Sequence, residues 1–205
     1  RDSIMCFLRH LPATAAMETL EASLPFRDKY IGVGLDSSEV GFPPELFTDV
    51  FARAAAEDLH LVAHAGEEGP PAYVWGALDS LRVERVDHGV RSLEDAELVE
   101  RLVGEQVPLT VCPFSNVRLG GVDRLEEHPL PKMLDLGLKV TINSDDPAYF
   151  GGYVGDNYVK THTALDLSLD QMVTIARNSL DATFLPSNEK TGLLAELDDY
   201  VKLNA

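Results

Sequence analysis

Short apolar runs alternate with amphipathic stretches over the first 143 residues of the chain. Each run has the length of a buried strand and ends in polar residues. The six runs cover residues 4–8, 30–35, 61–64, 83–89, 107–112 and 138–143. Between them, apolar residues recur three and four positions apart, as at Phe47, Val50, Phe51 and Ala54, and this spacing predicts helices. After residue 143 the pattern predicts helices only.

Prolines and capping residues indicate where several helices begin. Pro12 is predicted to begin a helix that extends to about Glu21. Ser92 resembles an N-cap followed by acidic first-turn residues, and it predicts a helix that extends to about Val103. Ser168 is predicted to cap one of the late helices.

The alternation of strands and helices, joined by short loops, predicts βαβ units around a parallel sheet. Polar residues end nearly every strand, which favours a TIM-type (β/α)8 barrel over a doubly wound sheet with a single crevice. A complete barrel takes about 250 residues. We therefore predict that residues 1–205 form a single α/β domain, the C-terminal portion of a barrel with about six of its eight strands and trailing helices. The other two strands are expected before Arg1.

Composition and charge narrow the class of protein. A formal net charge of -17 argues against a nucleic-acid surface or an anionic membrane patch, since both require clustered Lys and Arg. No apolar run approaches the roughly 18 residues that span a bilayer. Cys6 and Cys112 both lie in strand-like runs, which predicts buried free thiols and a reducing, cytoplasmic location. The sequence does not indicate an oligomeric state.

The run that ends at His64 carries the first candidate chemistry. Ala65 and Gly66 allow a tight turn, so that Glu67 returns over the end of the same strand. An imidazole and a carboxylate three residues apart can serve as a metal ligand beside a proton carrier. A structural histidine at a strand end is the alternative interpretation.

Further polar residues occupy equivalent places at the ends of later strands. His88 closes the fourth run, and Asp145 and Asp146 follow the sixth. Each has a structural interpretation, because a strand-end histidine often bonds a loop carbonyl and Asp before Pro is common in turns. Together with His64 and Glu67, however, they are predicted to converge at the mouth of the barrel. Four other histidines and Cys112 are interpreted as structural: His10, His60, His128 and His162.

Five motifs resemble the adenosine/adenine deaminase family of metal-dependent hydrolases. They are His64-Ala65-Gly66-Glu67, Arg85-Val86-Asp87-His88-Gly89, Ser92-Leu93-Glu94-Asp95, Cys112-Pro113-Phe114-Ser115 and Asn143-Ser144-Asp145-Asp146-Pro147. The motifs follow in order over nearly the whole chain. The resemblance implies a (β/α)8 barrel that holds one zinc ion at the carboxyl ends of its strands.

The resemblance also implies a role for each residue. His64 and Asp145 would be metal ligands, and Glu67 would deliver a proton to purine N1. His88 would orient and stabilise the attacking hydroxide, with Asp145 helping to take its proton, and Asp146 would hold N7. The implied reaction converts adenine to hypoxanthine and ammonia, as in purine salvage.

The segment after the second strand indicates the substrate. Asp36-Ser37-Ser38-Glu39-Val40-Gly41 resembles the adenine deaminase branch of the family, as does Tyr149-Phe150-Gly151-Gly152. A free purine base carries an imidazole N–H that a nucleoside lacks, and a carboxylate accepts it. We hypothesise that Glu39, helped by Ser38, selects a purine base over a nucleoside.

A departure from the family pattern and the choice of substrate both leave alternatives open. The family takes two further zinc ligands from a His-x-His motif, which this chain lacks, and these ligands are expected before Arg1. A catalytically incompetent fragment that binds purine is the alternative. Deamination of adenosine, or of an N6-substituted adenine such as a cytokinin, is a second alternative. Binuclear amidohydrolases and cytidine-type deaminases are discounted, because no lysine ends a strand and no Pro-Cys-x-x-Cys is present.

Overall fold

The computed structural model describes residues 3–204, which contain six short strands and ten α-helices. The strands are β1 (Ile4–Leu8), β2 (Gly32–Asp36), β3 (His60–Ala65), β4 (Arg85–His88), β5 (Leu109–Val111) and β6 (Val140–Ile142). The first five helices are α1 (Ala13–Ser23), α2 (Thr48–Ala55), α3 (Pro71–Gly76), α4 (Ala96–Glu105) and α5 (Pro113–Arg118). The others are α6 (Leu130–Asp135), α7 (Pro147–Phe150), α8 (Val154–Leu165), α9 (Leu169–Asp181) and α10 (Ser187–Asn204).

The chain divides into two units, an amino-terminal unit (Arg1–Val107) and a carboxyl-terminal unit (Pro108–Ala205). The sequence predicts a single domain, and that remains a prediction. Each unit is therefore described by itself.

The amino-terminal unit is built on the parallel strands β1 to β4, which pair in chain order. Leu35, Ala63 and Val86 are fully buried at paired positions on three neighbouring strands of this sheet. Such strands read as continuous apolar runs because helices cover the faces of a parallel sheet. Phe51 of α2 packs edge-on against Phe7, with 6.0 Å between ring centroids. All four strands point the same way, so their carboxyl ends lie at one edge of the sheet.

The carboxyl-terminal unit contains the parallel pair β5 and β6 and the later helices. Val140 and Ile142 of β6 are buried. Helix α9 packs against β6, and Asn178 Nδ2 donates to the Val140 carbonyl over 3.0 Å. Ser168 caps α9 in a capping box with Gln171, as the sequence predicts.

Two local predictions are wrong. Ser92 lies in a 3-10 turn, and the residue that caps α4 is Asp95, whose carboxylate accepts from the N–H groups of Glu97 and Leu98. Both cysteines are free, but Cys6 is exposed whereas Cys112 is buried. In the described part of the chain, β1 has a hydrogen-bonded neighbour on one side only. The apolar run of β1 therefore does not bury every side chain.

Helix lengths also bear on membranes. Within residues 3–204, no helix combines the length and the apolar character that crossing a bilayer requires.

The carboxyl-terminal unit is stabilised by a buried histidine whose imidazole is neutral. His128 is 2% exposed, and its Nδ1 accepts from the Leu130 N–H over 3.1 Å. Because Nδ1 is the acceptor, the proton lies on Nε2, which donates to Asn116 Oδ1 over 3.1 Å. Burial lowers the pKa of His128 to about 4.

We expect His128 to make the stability of the protein depend on pH. Below pH 6.5 the unfolded chain binds a proton at this position that the folded chain does not bind until about pH 4. Stability is therefore lost as the pH falls through this window. Between pH 7.5 and pH 5.0 the wild type should lose about 2 kcal/mol that His128→Gln does not lose. Urea unfolding of both proteins at both pH values measures this difference, and equal losses would refute the assignment.

Candidate active site

The turn after β3 brings His64 and Glu67 close to a second histidine, His88. Gly66 has φ +72°, a conformation that favours glycine, and it turns the chain back after Ala65. Glu67 Oε1 then lies 3.3 Å from Nδ1 of His88, the last residue of β4. The His64 and His88 rings meet edge-on, with 4.8 Å between their centroids. The structure thus brings together the candidate site residues of β3, the turn after it and β4: His64, Glu67 and His88.

His64 is oriented by a neighbouring carboxylate. Its Nδ1 lies 3.3 Å from Asp87 Oδ2, and Asp87 Oδ1 lies 3.9 Å from Arg85 Nε. Burial lowers the pKa of His64, but the Asp87 carboxylate and the charges of Glu67 and Asp36 outweigh burial and raise the pKa to about 9. The electrostatic environment of His64 therefore favours a positive charge at this position.

The contact between His64 and Asp87 also fits a metal ligand. Metal-binding histidines usually direct their second ring nitrogen at a carboxylate or carbonyl, which fixes the tautomer. With Nδ1 facing Asp87, Nε2 is the ring nitrogen that a divalent cation would bind, in place of the proton that this environment favours. The donor set of this region, imidazole and carboxylate, is one that zinc accepts.

His88 is held in an unusual state. It is 1% exposed, and burial together with the charge of His64 lowers its pKa to about 3, against an opposing effect of Asp87. The imidazole is thus neutral at physiological pH. Its backbone has φ +67°, the left-handed region that non-glycine residues seldom adopt. Such strained residues cluster at functional sites.

The two predicted aspartates lie in the carboxyl-terminal unit, directly after β6. Both side chains are exposed, and Asp145 Oδ1 accepts from the Asp146 N–H over 2.8 Å. Asp145 has φ +54°, so its backbone is strained in the same way as that of His88. Asp146 precedes the short helix α7. The convergence of these residues with His64 remains a prediction.

Glu39 and Ser38, the predicted selectivity residues, differ from each other in exposure. Ser38 is exposed, whereas Glu39 is 1% exposed. The Glu39 carboxylate accepts hydrogen bonds from the backbone N–H groups of Gly66, Glu67 and Gly69. A contact between Glu39 and a purine remains a prediction, and these three hydrogen bonds to the backbone are contacts that the sequence does not predict.

Two further residues around the site have no predicted role. Asp87 belongs to one of the family motifs, and its position one residue before His88 is the sequence signal for a site residue. Arg9 is fully buried and donates to the His64 carbonyl over 2.7 Å. An arginine directly after an apolar strand, in a chain this acidic, was the available signal for Arg9.

Several side chains that were interpreted as structural have contacts within the protein. His10 Nδ1 lies 2.7 Å from Ser37 Oγ, and His60 Nδ1 lies 2.9 Å from Glu84 Oε1. The Cys112 thiol donates to the Thr110 carbonyl over 3.5 Å. These contacts agree with the structural interpretation.

The histidines of this cluster lie at the carboxyl ends of parallel strands, where (β/α)8-barrel enzymes hold their active sites. Residues 1–200 match the family model described as adenosine deaminase. The chain belongs to the adenosine deaminase family.

Similar proteins agree with this assignment. A curated adenine deaminase from Hahella chejuensis is 57% identical over 199 residues, which are 97% of this chain and 60% of that protein. A crystal structure of an adenine deaminase from Arthrobacter aurescens superposes with a TM-score of 0.95 at 51% identity, covering 97% of this chain and 61% of that one. An amidohydrolase from Burkholderia ambifaria, solved with bound Zn, gives a TM-score of 0.92 at 27% identity, with coverage of 98% and 57%.

These comparisons confirm the predicted family and the α/β fold class. Six strands within residues 3–204 agree with part of a (β/α)8 barrel. The chain spans about 60% of the length of the Hahella chejuensis protein.

Proposed function

We propose that the whole protein deaminates adenine hydrolytically. Water adds at C6 of the purine, the bond from C6 to its exocyclic nitrogen breaks, and hypoxanthine and ammonia leave. The observation that carries the proposal is the cluster of His64, Glu67 and His88 at the carboxyl ends of β3 and β4. The 57% identity to a protein named adenine deaminase supports adenine as the substrate.

One zinc ion is the proposed cofactor, with His64 and Asp145 among its ligands. The Asp87 contact on Nδ1 of His64 supports this role, and a related amidohydrolase was solved with bound Zn. These residues would hold a divalent ion, which would supply a nucleophilic water near neutral pH. The two further histidine ligands of the family pattern remain a prediction.

Glu67 is proposed to carry the proton that the purine ring receives. A ring nitrogen that gains a proton draws electrons from C6 and makes that carbon more open to attack. The Glu67 side chain is 12% exposed, so little bulk water competes for its carboxyl group. General acid–base groups of this kind contribute about 10²–10⁴-fold to a rate.

His88 is proposed to accept a hydrogen bond from the attacking water and to orient it. Its pKa of about 3 keeps the ring neutral, so that a lone pair is available at neutral pH. Asp145 would take up the proton of the same water. Asp146 and Ser38 are proposed to contact the purine ring.

The choice of substrate is tested by assaying ammonia release from three compounds side by side. With the protein at its full natural length and supplied with zinc, we expect adenine to exceed adenosine and N6-alkyl adenines by at least about 100-fold in kcat/KM. Faster turnover of adenosine or of an N6-alkyl adenine would mean that this compound, and not adenine, is the substrate. Zinc binding without ammonia release from any purine would favour a binding role. Purine salvage and a cytoplasmic location remain predictions.

A further inference from the structure

Two buried charged side chains hold the backbone that carries Glu67. We call residues 64–69 the β3 turn. Glu39, from the loop after β2, is 1% exposed, and Arg9, which follows β1, is fully buried. Both reach the β3 turn from other segments, more than 25 residues away in sequence. The turn is thus fixed from outside itself.

The Glu39 carboxylate accepts hydrogen bonds from three backbone N–H groups of the β3 turn. Its Oε2 accepts from Gly66 over 3.1 Å and from Gly69 over 2.7 Å, and its Oε1 accepts from Glu67 over 3.1 Å. Hydrogen bonds to an ionised acceptor are about twice as strong as those between neutral groups. One carboxylate therefore fixes the backbone before, at and after the proposed proton carrier.

Arg9 binds the same turn through a backbone carbonyl group of the turn. Its Nη1 donates to the His64 carbonyl over 2.7 Å, while Nε and Nη2 donate to the Phe42 carbonyl over 2.9 and 2.6 Å. The Phe42 N–H in turn donates to the Glu39 carbonyl over 2.9 Å. Arg9 therefore ties the loop that carries Glu39 to the turn that carries Glu67.

The space around the Glu39 carboxylate is shaped to hold it. A β-carbon at Gly69 would overlap the carboxylate, and it would also meet the Tyr73 ring at 2.5 Å. The Arg9 guanidinium lies over that same ring, 5.6 Å from its centroid. Glycine at position 69 is thus what allows the carboxylate to approach the backbone.

Burial of two charges is costly unless their hydrogen bonds are satisfied. Here the hydrogen bonds of both groups are directed at the backbone of the β3 turn and of the Glu39 loop. With 1% exposure and three N–H donors, the Glu39 carboxylate has little surface left for a ligand. Its acceptor capacity is used to define the position of Glu67.

We propose that Glu39 and Arg9 are positioning residues that fix the β3 turn and thereby hold the Glu67 carboxyl group in its working orientation. On this proposal Glu39 acts on turnover through Glu67, in place of the contact with the purine that the sequence predicts. This inference rests on the proposed function.

Amide hydrogen exchange of Glu39→Gln tests the hydrogen bonds without an activity assay. The glutamine keeps the size of the side chain, but its NH₂ group replaces one accepting oxygen and cannot accept a hydrogen bond from the backbone N–H that it faces. We expect the amides of Gly66, Glu67 and Gly69 to exchange about 10- to 100-fold faster, measured by NMR. Unchanged exchange at these three amides would overturn the proposal. Glu84→Gln, the same substitution beside the opposite end of β3, is the control and should leave them unchanged.

Steady-state kinetics of Glu39→Gln separate positioning from direct binding. Misplacement of Glu67 should lower kcat for adenine by about 100-fold, with less than about a threefold change in KM. An increase in KM of about tenfold with an unchanged kcat would overturn the proposal and assign Glu39 to the purine. Because the exchange experiment needs no substrate, a wild-type protein without deaminase activity would refute the proposed function and leave this inference testable.

A second variant covers the case in which Glu39→Gln does not fold. Gly69→Ala keeps the charge of Glu39 but displaces its carboxylate from the turn. It should speed exchange at Gly66 and Glu67 and lower kcat in the same direction. Protected amides together with an unchanged kcat in Gly69→Ala would contradict the proposal.

Discussion

Replacement of Glu67 by glutamine is expected to slow adenine deamination by about 10²–10⁴-fold, because the amide cannot deliver a proton to the purine ring. The side chain keeps its size and remains beside His88, 3.3 Å away in the wild type, so the effect should fall on kcat. Steady-state ammonia release from adenine measures the loss. Circular dichroism checks that the variant folds.

Glu68→Gln is the matched control for Glu67→Gln. Glu68 is the next residue in the chain, and its side chain is exposed. The same chemical change one residue away should leave kcat within about a factor of two, as surface substitutions usually do. Equal losses in the two variants would mean that charge in the β3 turn, and not proton transfer by Glu67, sustains the reaction.

Removal of the His64 imidazole should abolish stable metal binding. With one of its ligands deleted, the site should lose more than about 100-fold in zinc affinity, since even the partners of metal ligands are worth 10- to 100-fold. His64→Ala should therefore contain almost no zinc after dialysis and release no measurable ammonia. Elemental analysis of the dialysed variant, beside the activity assay, checks both outcomes.

His60→Ala is the control for His64→Ala. Both histidines lie on β3, but His60 is at the opposite end, where it contacts Glu84. It should retain zinc and activity. Full zinc occupancy in His64→Ala would remove His64 from the ligand set.

The strands were predictable because a strand buried in a parallel sheet appears in the sequence as a continuous apolar run. Each of the six apolar runs overlaps a strand within residues 3–204. The ends of the strands differ from the prediction by a few residues, as for the run 107–112, which becomes Leu109–Val111. Apolar character continues past the last hydrogen bond, so hydrophobicity alone does not mark where a strand stops.

Capping and exposure were harder to predict than strands. Ser92 and Asp95 are both good N-caps, and the choice between them depends on the 3-10 turn that occupies Val90–Glu94. Cys6 lies in an apolar run, yet its exposure depends on which strands flank β1. Both outcomes are set by tertiary neighbours that no local pattern contains.

The histidines and Glu67 of the candidate site were predictable, whereas their supports were not. A turn with two small residues between His64 and Glu67 leaves few other geometries for the pair. Glu39 and Arg9 contact that turn across long sequence separations, through backbone groups that carry no sequence signal. The family resemblance assigns Glu39 to the purine. Its hydrogen bonds to the turn are visible only in the fold.

The central claim is tested most directly by a zinc titration of the metal-free protein at its full natural length, with adenine present. We expect ammonia release to rise with added zinc and to saturate at one ion per chain, with hypoxanthine formed in equal amount. One tightly bound zinc ion per chain without ammonia release from adenine would contradict the account.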